Sequence, residues 1–261
     1  MSSAEFITIH DTRTAIFSMG DATQPTTLLI HGINGSHYGF AELADRLTQA
    51  GYHVVLVDLP GHGDSDMPSW SDLANLRQWC DELLEAVASR FGALDKIVAH
   101  SFGCYVLGGG GLNWETTFIC PVPTVSRYYR VTAKLGRLLA LPLAPAIYNW
   151  TPFSAWRGFM LLKAKNWRNW HRQYAVARAD SGISAAKRRY QVRLARISEM
   201  PHLFASIHPT KVIMGSRDRL AQERSPAQMQ QVFPDATIAV VDGGHLLTTE
   251  SPDQVCAKIV A

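Results

Sequence analysis

The chain has 261 residues, of which 47% are hydrophobic and 18% are charged, and its formal net charge is +3. This composition excludes a disordered, collagen-like or coiled-coil protein, and the length is sufficient for a large hydrophobic core. No apolar stretch reaches the roughly 18 residues that a membrane-spanning helix needs, so none is expected.

Strand-like and helix-like segments alternate from the N-terminus. Two short strands over residues 5–12 and 14–19 are predicted to form a hairpin. Helical spacing of apolar residues predicts helices over 40–50 and 73–91, and the glycines at 108–111 should end any helix before them early. Short apolar runs typical of buried strands occur at 26–30, 53–57, 96–99, 116–120, 211–214 and 237–241. This alternation predicts an α/β fold with a parallel sheet that is covered on both faces.

Charge is distributed unevenly along the chain. Residues 1–120 hold 5 Lys and Arg against 14 Asp and Glu, whereas residues 121–200 hold 15 against 2. The basic segment also contains four tryptophans, which are Trp150, Trp156, Trp167 and Trp170. These composition changes predict domain boundaries near residues 121 and 201. Charge asymmetry of this size indicates binding partners rather than fold.

Neither a secretory signal nor a metal-binding pattern is visible in the sequence. The N-terminal residues, Met-Ser-Ser-Ala-Glu-Phe, lack a basic start and an apolar centre, which favours a cytoplasmic protein. Four scattered cysteines are predicted to be buried free thiols of a reducing compartment, and they are Cys80, Cys104, Cys120 and Cys256. The histidines show no paired ligand spacing, so neither a metal site nor a cofactor is expected.

The segment Ala99-His100-Ser101-Phe102-Gly103 lies between a predicted buried strand and a predicted short helix. A sharp turn from strand to helix needs small residues two positions before and after the serine, because larger side chains would collide there. Such a turn exposes the serine hydroxyl at the start of a helix, where backbone N–H groups can stabilise an oxyanion. The segment therefore predicts a nucleophilic serine, although the small-x-Ser-x-Gly spacing alone is weakly specific.

Five motifs in chain order resemble the α/β-hydrolase superfamily, and the resemblance covers nearly the whole chain. They are His31-Gly32 after the third predicted strand, Asp58-Leu-Pro-Gly-His-Gly-Asp-Ser65 after the fourth, Ser101 in its turn, Gly215-Ser-Arg-Asp218, and Gly243-Gly-His245 followed by Glu250 and Pro252. The resemblance implies the α/β-hydrolase fold, with a mostly parallel eight-stranded sheet and helices on both faces. It also implies a helical cap over residues 122–204, inserted into a core of residues 1–121 and 205–261. Ala99 departs from the glycine that is usual in the family.

The resemblance implies a role for each motif. Ser101, Asp218 and His245 follow the family's order of nucleophile, acid and histidine. His245 would take the proton of Ser101, and Asp218 would orient the imidazole. The backbone N–H groups of Ile33 and Phe102 would form the oxyanion hole.

Further residues near these motifs are assigned with less specificity. His31, Gly32, Asn34 and His100 are expected to line the substrate site. Asp242, close to the histidine motif, is the alternative to Asp218 as the acid. His62 is expected to have a structural role in its loop, and His100 is interpreted as a packed residue of the turn rather than a second base.

The reaction that the resemblance implies is hydrolysis of a carboxylic ester or thioester through an acyl-enzyme. The basic, tryptophan-rich segment adds the expectation that the substrate is amphiphilic or anionic. A serine nucleophile argues against a haloalkane dehalogenase or an epoxide hydrolase, whose family nucleophile is an aspartate. The same three residues leave open a carbon–carbon bond hydrolase or an acyltransferase. A ligand-binding receptor with a nearly idle triad is a hypothesis of another class, since fold alone does not define function.

Three interpretations of the basic segment remain open at the level of sequence. Its arginines and lysines could bind an anionic carrier, either coenzyme A or acyl carrier protein, through Arg127, Arg130, Lys134 and Arg137 or through Lys187, Arg188 and Arg189. The tryptophans with Lys163, Lys165 and Arg168 would suit an anionic membrane surface. Alternatively, the segment forms solvated amphipathic helices. Nucleic acid is not expected, because no recognition motif accompanies the charge.

Overall fold

A computed structural model describes residues 3–92, 94–107, 114–127, 130, 185–195 and 208–261. The strands are β1 (Glu5–Ile9), β2 (Thr12–Met19), β3 (Thr26–Ile30), β4 (His53–Val57), β5 (Leu94–His100), β6 (Glu115–Ile119), β7 (Lys211–Gly215) and β8 (Thr237–Val241). The helices are α1 (Ala41–Gln49), α2 (Leu73–Phe91), α3 (Gly103–Val106), α4 (Ala185–Ala195), α5 (Pro226–Val232), α6 (Leu247–Glu250) and α7 (Pro252–Val260), with a short 3-10 helix at His37–Phe40.

All eight strands form one sheet in the order β1-β2-β4-β3-β5-β6-β7-β8. Strand β2 is antiparallel to β1 and to β4, and every other neighbouring pair is parallel. The predicted mostly parallel eight-stranded sheet is thereby confirmed. Because β3 to β8 are parallel, the loops after β3, β5, β6, β7 and β8 all leave the same edge of the sheet.

Helices cover both faces of the sheet, as predicted. Alternate residues of β3 point to opposite sides, so Leu28 packs into the core under α2 while Leu29 packs into the core under α1 and α7. The helices contribute fully buried side chains to these cores, including Trp79 from α2 and Leu47 from α1. Burial of one such side chain stabilises the fold by about 1.5–3 kcal/mol.

The predicted hairpin forms, but its turn lies earlier than expected. Ile9 pairs with Thr12, which leaves the two-residue loop His10-Asp11, and both loop residues have positive φ (46° and 57°). Positive φ at both positions defines a type I′ turn, the geometry that matches strand twist in short hairpins. The predicted break near Arg13 was wrong because neither loop residue is the glycine that usually marks such a turn.

Most of the predicted cap lies outside the described residues, so its boundaries at 122 and 204 stay predictions. The four tryptophans named above lie outside, as do Lys134, Arg137, Lys163, Lys165 and Arg168. Helix α4 is described, and it packs on the loop after β4. Two side chains of α4 donate hydrogen bonds to backbone carbonyl oxygens of that loop. Gln191 Nε2 donates to Gly61 O at 3.0 Å, and Lys187 Nζ donates to Gly63 O at 2.7 Å.

The described helices include none that is both long enough and apolar enough to cross a membrane. All four cysteines belong to the described residues, where each is buried and forms no disulfide. Helix α3 ends at Val106, two residues before the glycines that were predicted to stop it.

Candidate functional site

Ser101 lies in a sharp turn between β5 and α3. Its φ of +52° is rare for a residue other than glycine, and its N–H donates to Ile119 O at 3.0 Å. Two residues later the backbone passes so close to β3 that a Cβ on Gly103 would lie 2.5 Å from Ile30 O. The small residue predicted at this position is therefore required by the close approach of helix and strand.

A continuous chain of hydrogen bonds joins Ser101, His245 and Asp218. Ser101 Oγ lies 2.8 Å from His245 Nε2, and His245 Nδ1 lies 2.8 Å from Asp218 Oδ2. Ser101 and His245 are both buried. In such an arrangement the histidine can accept the hydroxyl proton, because the carboxylate stabilises the imidazolium that forms. Three residues separated by up to 144 positions are thus assembled into one geometry.

The carboxylate of Asp218 is held on both oxygens. While Oδ2 faces His245, Oδ1 accepts the N–H of Leu220 at 2.8 Å. Burial raises the pKa of Asp218, but the charge and hydrogen bond of His245 and the Leu220 N–H outweigh burial, so the pKa lies below its ordinary value. Asp218 is therefore a carboxylate at neutral pH.

The alternative acid, Asp242, lies away from His245. Its carboxylate oxygen Oδ1 accepts from Ser216 Oγ at 3.3 Å and lies 3.3 Å from Arg217 Nη1. The Asp242 side chain is 53% exposed, whereas that of Asp218 is 9% exposed. The structure thus brings Asp218, and not Asp242, to the histidine.

The backbone around His245 is fixed by two side chains. The Glu250 carboxylate accepts hydrogen bonds from the N–H of Gly244 at 2.9 Å and the N–H of Leu246 at 3.2 Å, so it holds the backbone on both sides of the histidine. His100 Nε2 donates to His245 O at 2.8 Å. Burial lowers the pKa of His100 to about 3, so its imidazole is neutral at ordinary pH and acts here as a hydrogen-bond donor.

Backbone N–H groups that could bind an oxyanion lie on two sides of Ser101. On one side, Gly35 N donates to Gly32 O at 3.1 Å, and Asn34 has a φ of +59°, which together define a tight turn. The hydrogen bond that closes this turn uses the N–H of Gly35, so the N–H groups of the central residues, Ile33 and Asn34, do not take part in it. A Cβ on Gly32 would lie 3.0 Å from Ser101 Cβ, which shows how closely the turn approaches the serine.

On the other side, Phe102 precedes the first residue of α3. The first N–H groups of a helix have no acceptor within it, so the start of α3 offers donors beside Ser101. The two predicted oxyanion-hole residues, Ile33 and Phe102, therefore lie on either side of the serine. Their N–H groups stay predicted donors.

The turn that contains Ile33 is anchored to the loop after β4. His31 Nδ1 donates to Gly32 O at 2.7 Å, and its Nε2 accepts the N–H of Leu59 at 3.0 Å. His37 donates to the Asp58 carboxylate through its backbone N–H at 2.7 Å and its Nδ1 at 2.9 Å. Because His31 Nε2 accepts the hydrogen bond of Leu59 N–H, it carries no proton, and its 3.7 Å approach to Asp58 is a contact of a neutral ring rather than an ion pair.

The four residues predicted to line the substrate site have different surroundings. Gly32 is buried against Ser101, and Asn34 is exposed. His31 and His100 are buried and hydrogen-bonded to backbone carbonyl oxygens. Their contacts with substrate stay predictions. His62, expected to be structural, is buried, and its Nδ1 donates to Pro60 O at 2.9 Å.

Two residues of the site were not assigned a role from the sequence. Glu250 was noted only as part of the histidine motif, although its spacing after His245 was visible. Cys120 was interpreted only as a buried thiol, but it follows β6 with a φ of +47° and lies within 4.8 Å of ligand atoms of Asp218 and His245. No spacing pattern signals Cys120, because its neighbours Asp218 and His245 are 98 and 125 residues away in sequence.

Comparison with known proteins supports the architecture. The model of the alpha/beta hydrolase family matches residues 27–258. The magnesium-chelatase 30 kDa subunit of Rhodobacter capsulatus is 23% identical, over 94% of this chain and 89% of that protein. The crystal structure of a bacterial membrane phospholipase A aligns with a TM-score of 0.75 at 20% identity, over 99% of this chain and 84% of its own. A thioesterase domain from the curacin biosynthetic pathway aligns with a TM-score of 0.69 at 20% identity, over 99% of both chains.

The two structural matches are below 25% identity and therefore speak for the fold alone. The family match extends over most of the chain, from β3 into α7, and includes Ser101, Asp218 and His245. The chain belongs to the alpha/beta hydrolase family.

Proposed function

We propose that this protein is a serine hydrolase that cleaves a carboxylic ester or thioester through an acyl-enzyme. The observation that carries the proposal is the unbroken relay from Ser101 Oγ through His245 to Asp218, with both hydrogen bonds at 2.8 Å. A serine hydroxyl is a weak nucleophile on its own, and it becomes reactive when a neighbouring base accepts its proton during attack.

In the proposed first step, Ser101 Oγ attacks the carbonyl carbon of the substrate while His245 Nε2 takes the hydroxyl proton. The negative charge that develops on the carbonyl oxygen is stabilised by the N–H groups of Ile33 and Phe102. Loss of one such donor typically lowers the rate by about 100-fold or more. Asp218 keeps the imidazole in the tautomer that presents a free Nε2 to the serine.

In the second step, the imidazolium of His245 gives its proton to the departing alcohol or thiol. A water molecule then attacks the acyl-enzyme, with His245 again taking a proton, and Ser101 is regenerated. Neutral His100 is not a competing base in this scheme, because its Nε2–H is committed to His245 O.

The charge distribution supports an anionic or amphiphilic substrate, including an acyl group on an anionic carrier or at an anionic membrane surface. The basic segment carries 15 Lys and Arg against 2 Asp and Glu. It begins beside the site, since Ser126 Oγ donates to Arg219 O at 2.7 Å in the loop after Asp218, and Arg127 is exposed. Screening by salt should then lower kcat/KM for an anionic ester more than for a neutral one. Equal salt dependence for the two esters would refute this part of the proposal.

The proposed hydrolase is tested with a fluorophosphonate probe and a series of p-nitrophenyl esters and acyl thioesters. We expect labelling of Ser101 and many turnovers per chain, and the best acyl length would report the size of the acyl pocket. Ser101→Ala should abolish labelling and lower kcat by about 1,000-fold or more. Ser216→Ala, which alters an exposed serine near the same edge of the sheet, is the matched control and should retain both.

Two outcomes would contradict the proposal. Ester hydrolysis that persists in Ser101→Ala would show that another group carries the reaction. Labelling followed by a single slow cleavage with every ester and thioester would instead favour a ligand-binding receptor.

A further inference from the structure

Cys120, Asp218 and His245 form a cluster of three different metal-ligating side chains. The sulfur, a carboxylate oxygen and a ring nitrogen all lie within 4.8 Å of one another. The proposed hydrolase mechanism uses the carboxylate of Asp218 and the imidazole of His245, but it assigns no role to the thiol of Cys120. Cys120 Sγ also lies 3.8 Å from Gly244 O, next to the histidine.

The three ligand atoms lie within 4.8 Å of one another, so small movements would bring them to the spacing of a tetrahedral site. Bond lengths of about 2.3 Å to sulfur and 2.0–2.2 Å to nitrogen and oxygen place the ligand atoms of a tetrahedral Zn²⁺ roughly 3.3–3.7 Å apart. The separation of His245 Nδ1 and Asp218 Oδ2, now 2.8 Å, would have to widen by about 0.5 Å to admit the ion. Coordination of the ion would replace the hydrogen bond between these two atoms.

A small cavity lies against the cluster. It has a volume of ≈ 10 Å³, is bordered by Cys120 and Asp218, and is lined further by Glu223 and Arg224. A cavity of this volume holds about one water molecule. It could therefore hold a water molecule as the fourth ligand that a three-residue zinc site needs.

We propose that Cys120, Asp218 and His245 bind a thiophilic divalent cation such as Zn²⁺ or Cd²⁺, and that this binding inhibits the enzyme. Sulfur and imidazole ligands select such cations over Mg²⁺ or Ca²⁺, which prefer oxygen. Binding is a property of the cluster alone, whereas its inhibitory effect rests on the hydrolase function proposed above.

Inhibition follows from the movement of two protons. The cation binds the Cys120 thiolate, so the thiol proton leaves to solvent. It also binds His245 Nδ1, so the proton that Nδ1 shared with Asp218 moves to Nε2. An imidazole with a proton on Nε2 donates to Ser101 Oγ and cannot accept its proton. The nucleophile is then left without a base, while the chain remains folded.

Binding is tested with Cd²⁺ in the Ser101→Ala variant, in which hydrolysis plays no part. A cadmium thiolate has an ultraviolet charge-transfer band, and we expect this band to saturate at one Cd²⁺ per chain. The band should disappear in Ser101→Ala/Cys120→Ser and persist in Ser101→Ala/Cys256→Ser, which removes the cysteine of α7 that is not part of the cluster. Cys120→Gly is a second variant that suits the positive φ at this position, should the serine variant fold poorly.

Inhibition is tested by measuring ester hydrolysis with Zn²⁺, each variant being compared with its own rate in chelator. A site with a dissociation constant of about 10 µM leaves roughly one-tenth of the activity at ~100 µM Zn²⁺. We expect this loss in the wild-type protein and in Cys256→Ser, reversal by chelator, and no such loss in Cys120→Ser. Equal inhibition of wild type and Cys120→Ser would overturn the proposal, as would a cadmium band that survives removal of Cys120. A cadmium site in a protein that hydrolyses no ester would refute the hydrolase function and leave the binding site standing.

Discussion

Replacing Gly103 with alanine tests whether the turn at Ser101 depends on the close approach of α3 to β3. A methyl group at position 103 would lie 2.5 Å from Ile30 O and 2.8 Å from His31 O, whereas an ordinary contact begins near 3.4 Å. Both oxygens belong to the backbone and cannot rotate away. The start of α3 must therefore move by about 0.6–0.9 Å, and overpacking of this kind costs about 1–3 kcal/mol.

The same movement displaces the nucleophile, because Ser101 is only two residues from Gly103. A misplacement of about 1 Å at a reacting group can lower a rate by roughly 100-fold. We expect Gly103→Ala to lower the free energy of unfolding in urea by about 1–3 kcal/mol and to slow fluorophosphonate labelling by about 100-fold. Both readouts should change together, since one displacement causes both.

Gly39→Ala is the matched control for this prediction. Gly39 has no neighbouring atom within 4 Å of an added Cβ, and it lies in the 3-10 helix without a positive φ. Its replacement should change the unfolding free energy by no more than about 0.5 kcal/mol and leave labelling unaltered. If Gly103→Ala matched Gly39→Ala in both measurements, the argument that close packing of helix on strand holds the serine would be wrong.

Two further predictions concern titratable groups in and around the site. Asp218→Asn should lower kcat for an ester by about 10,000-fold, because His245 loses the partner that sets its tautomer. Asp242→Asn is the control and should change kcat less than threefold. Steady-state kinetics of the two variants measure both effects, and a greater loss of kcat in Asp242→Asn would show that Asp242 is the acid. Burial lowers the pKa of His62 and of His100 to about 3, so the unfolded chain, with histidine pKa near 6.5, takes up protons first as the pH falls. The free energy of unfolding should therefore be highest above about pH 6.5, and it should fall below that pH by up to ~1.4 kcal/mol per pH unit for each histidine. Urea unfolding measures this quantity, and an unfolding free energy that is unchanged between pH 7 and pH 5 would contradict the prediction.

Agreement between sequence and structure is best where burial is simplest. Strands β3 and β4 match their predicted bounds because a strand buried on both faces appears as an unbroken apolar run. Helix α2 also matches, since 19 residues of regular amphipathic spacing exceed any strand. Strand β5 extends two residues earlier and one later than predicted, because the exposed Asp95 interrupts the apolar pattern and His100 was assigned to the turn.

The two candidate acids differ in contacts that local sequence patterns do not predict. Asp218 and Asp242 each follow a strand closely, after β7 and β8. The sequence favoured Asp218 because Asp242 lies at the end of the strand that leads to the histidine itself, but the contacts of the two carboxylates were not predictable. The difference arises in the loops. The Leu220 N–H turns the Asp218 carboxylate inward, whereas Arg217 lies beside the Asp242 carboxylate at the surface. These contacts depend on how two loops cross, which periodicity and composition do not encode.

The strand order explains why the loop that carries His245 needs small residues. His245 follows β8 but must reach Ser101 after β5, three neighbouring strands away, or about 14 Å at the usual spacing. A side chain alone is too short, so the backbone itself must pass over the ends of β7 and β6. It does so at close range, since Arg217 N donates to Gly243 O at 2.8 Å and a Cβ on Gly215 would lie 2.2 Å from Gly244 O.

The same crossing determines what lies beneath the histidine. The residue after β6 is directly under the loop, and in this chain that residue is Cys120, whose Sγ faces Gly244 O. The side chain at position 120 therefore adjoins the acid after β7 and the histidine after β8. A thiol beside a carboxylate and an imidazole is thus a consequence of strand order combined with a single residue choice. For that reason the cluster becomes visible only when the sheet is assembled.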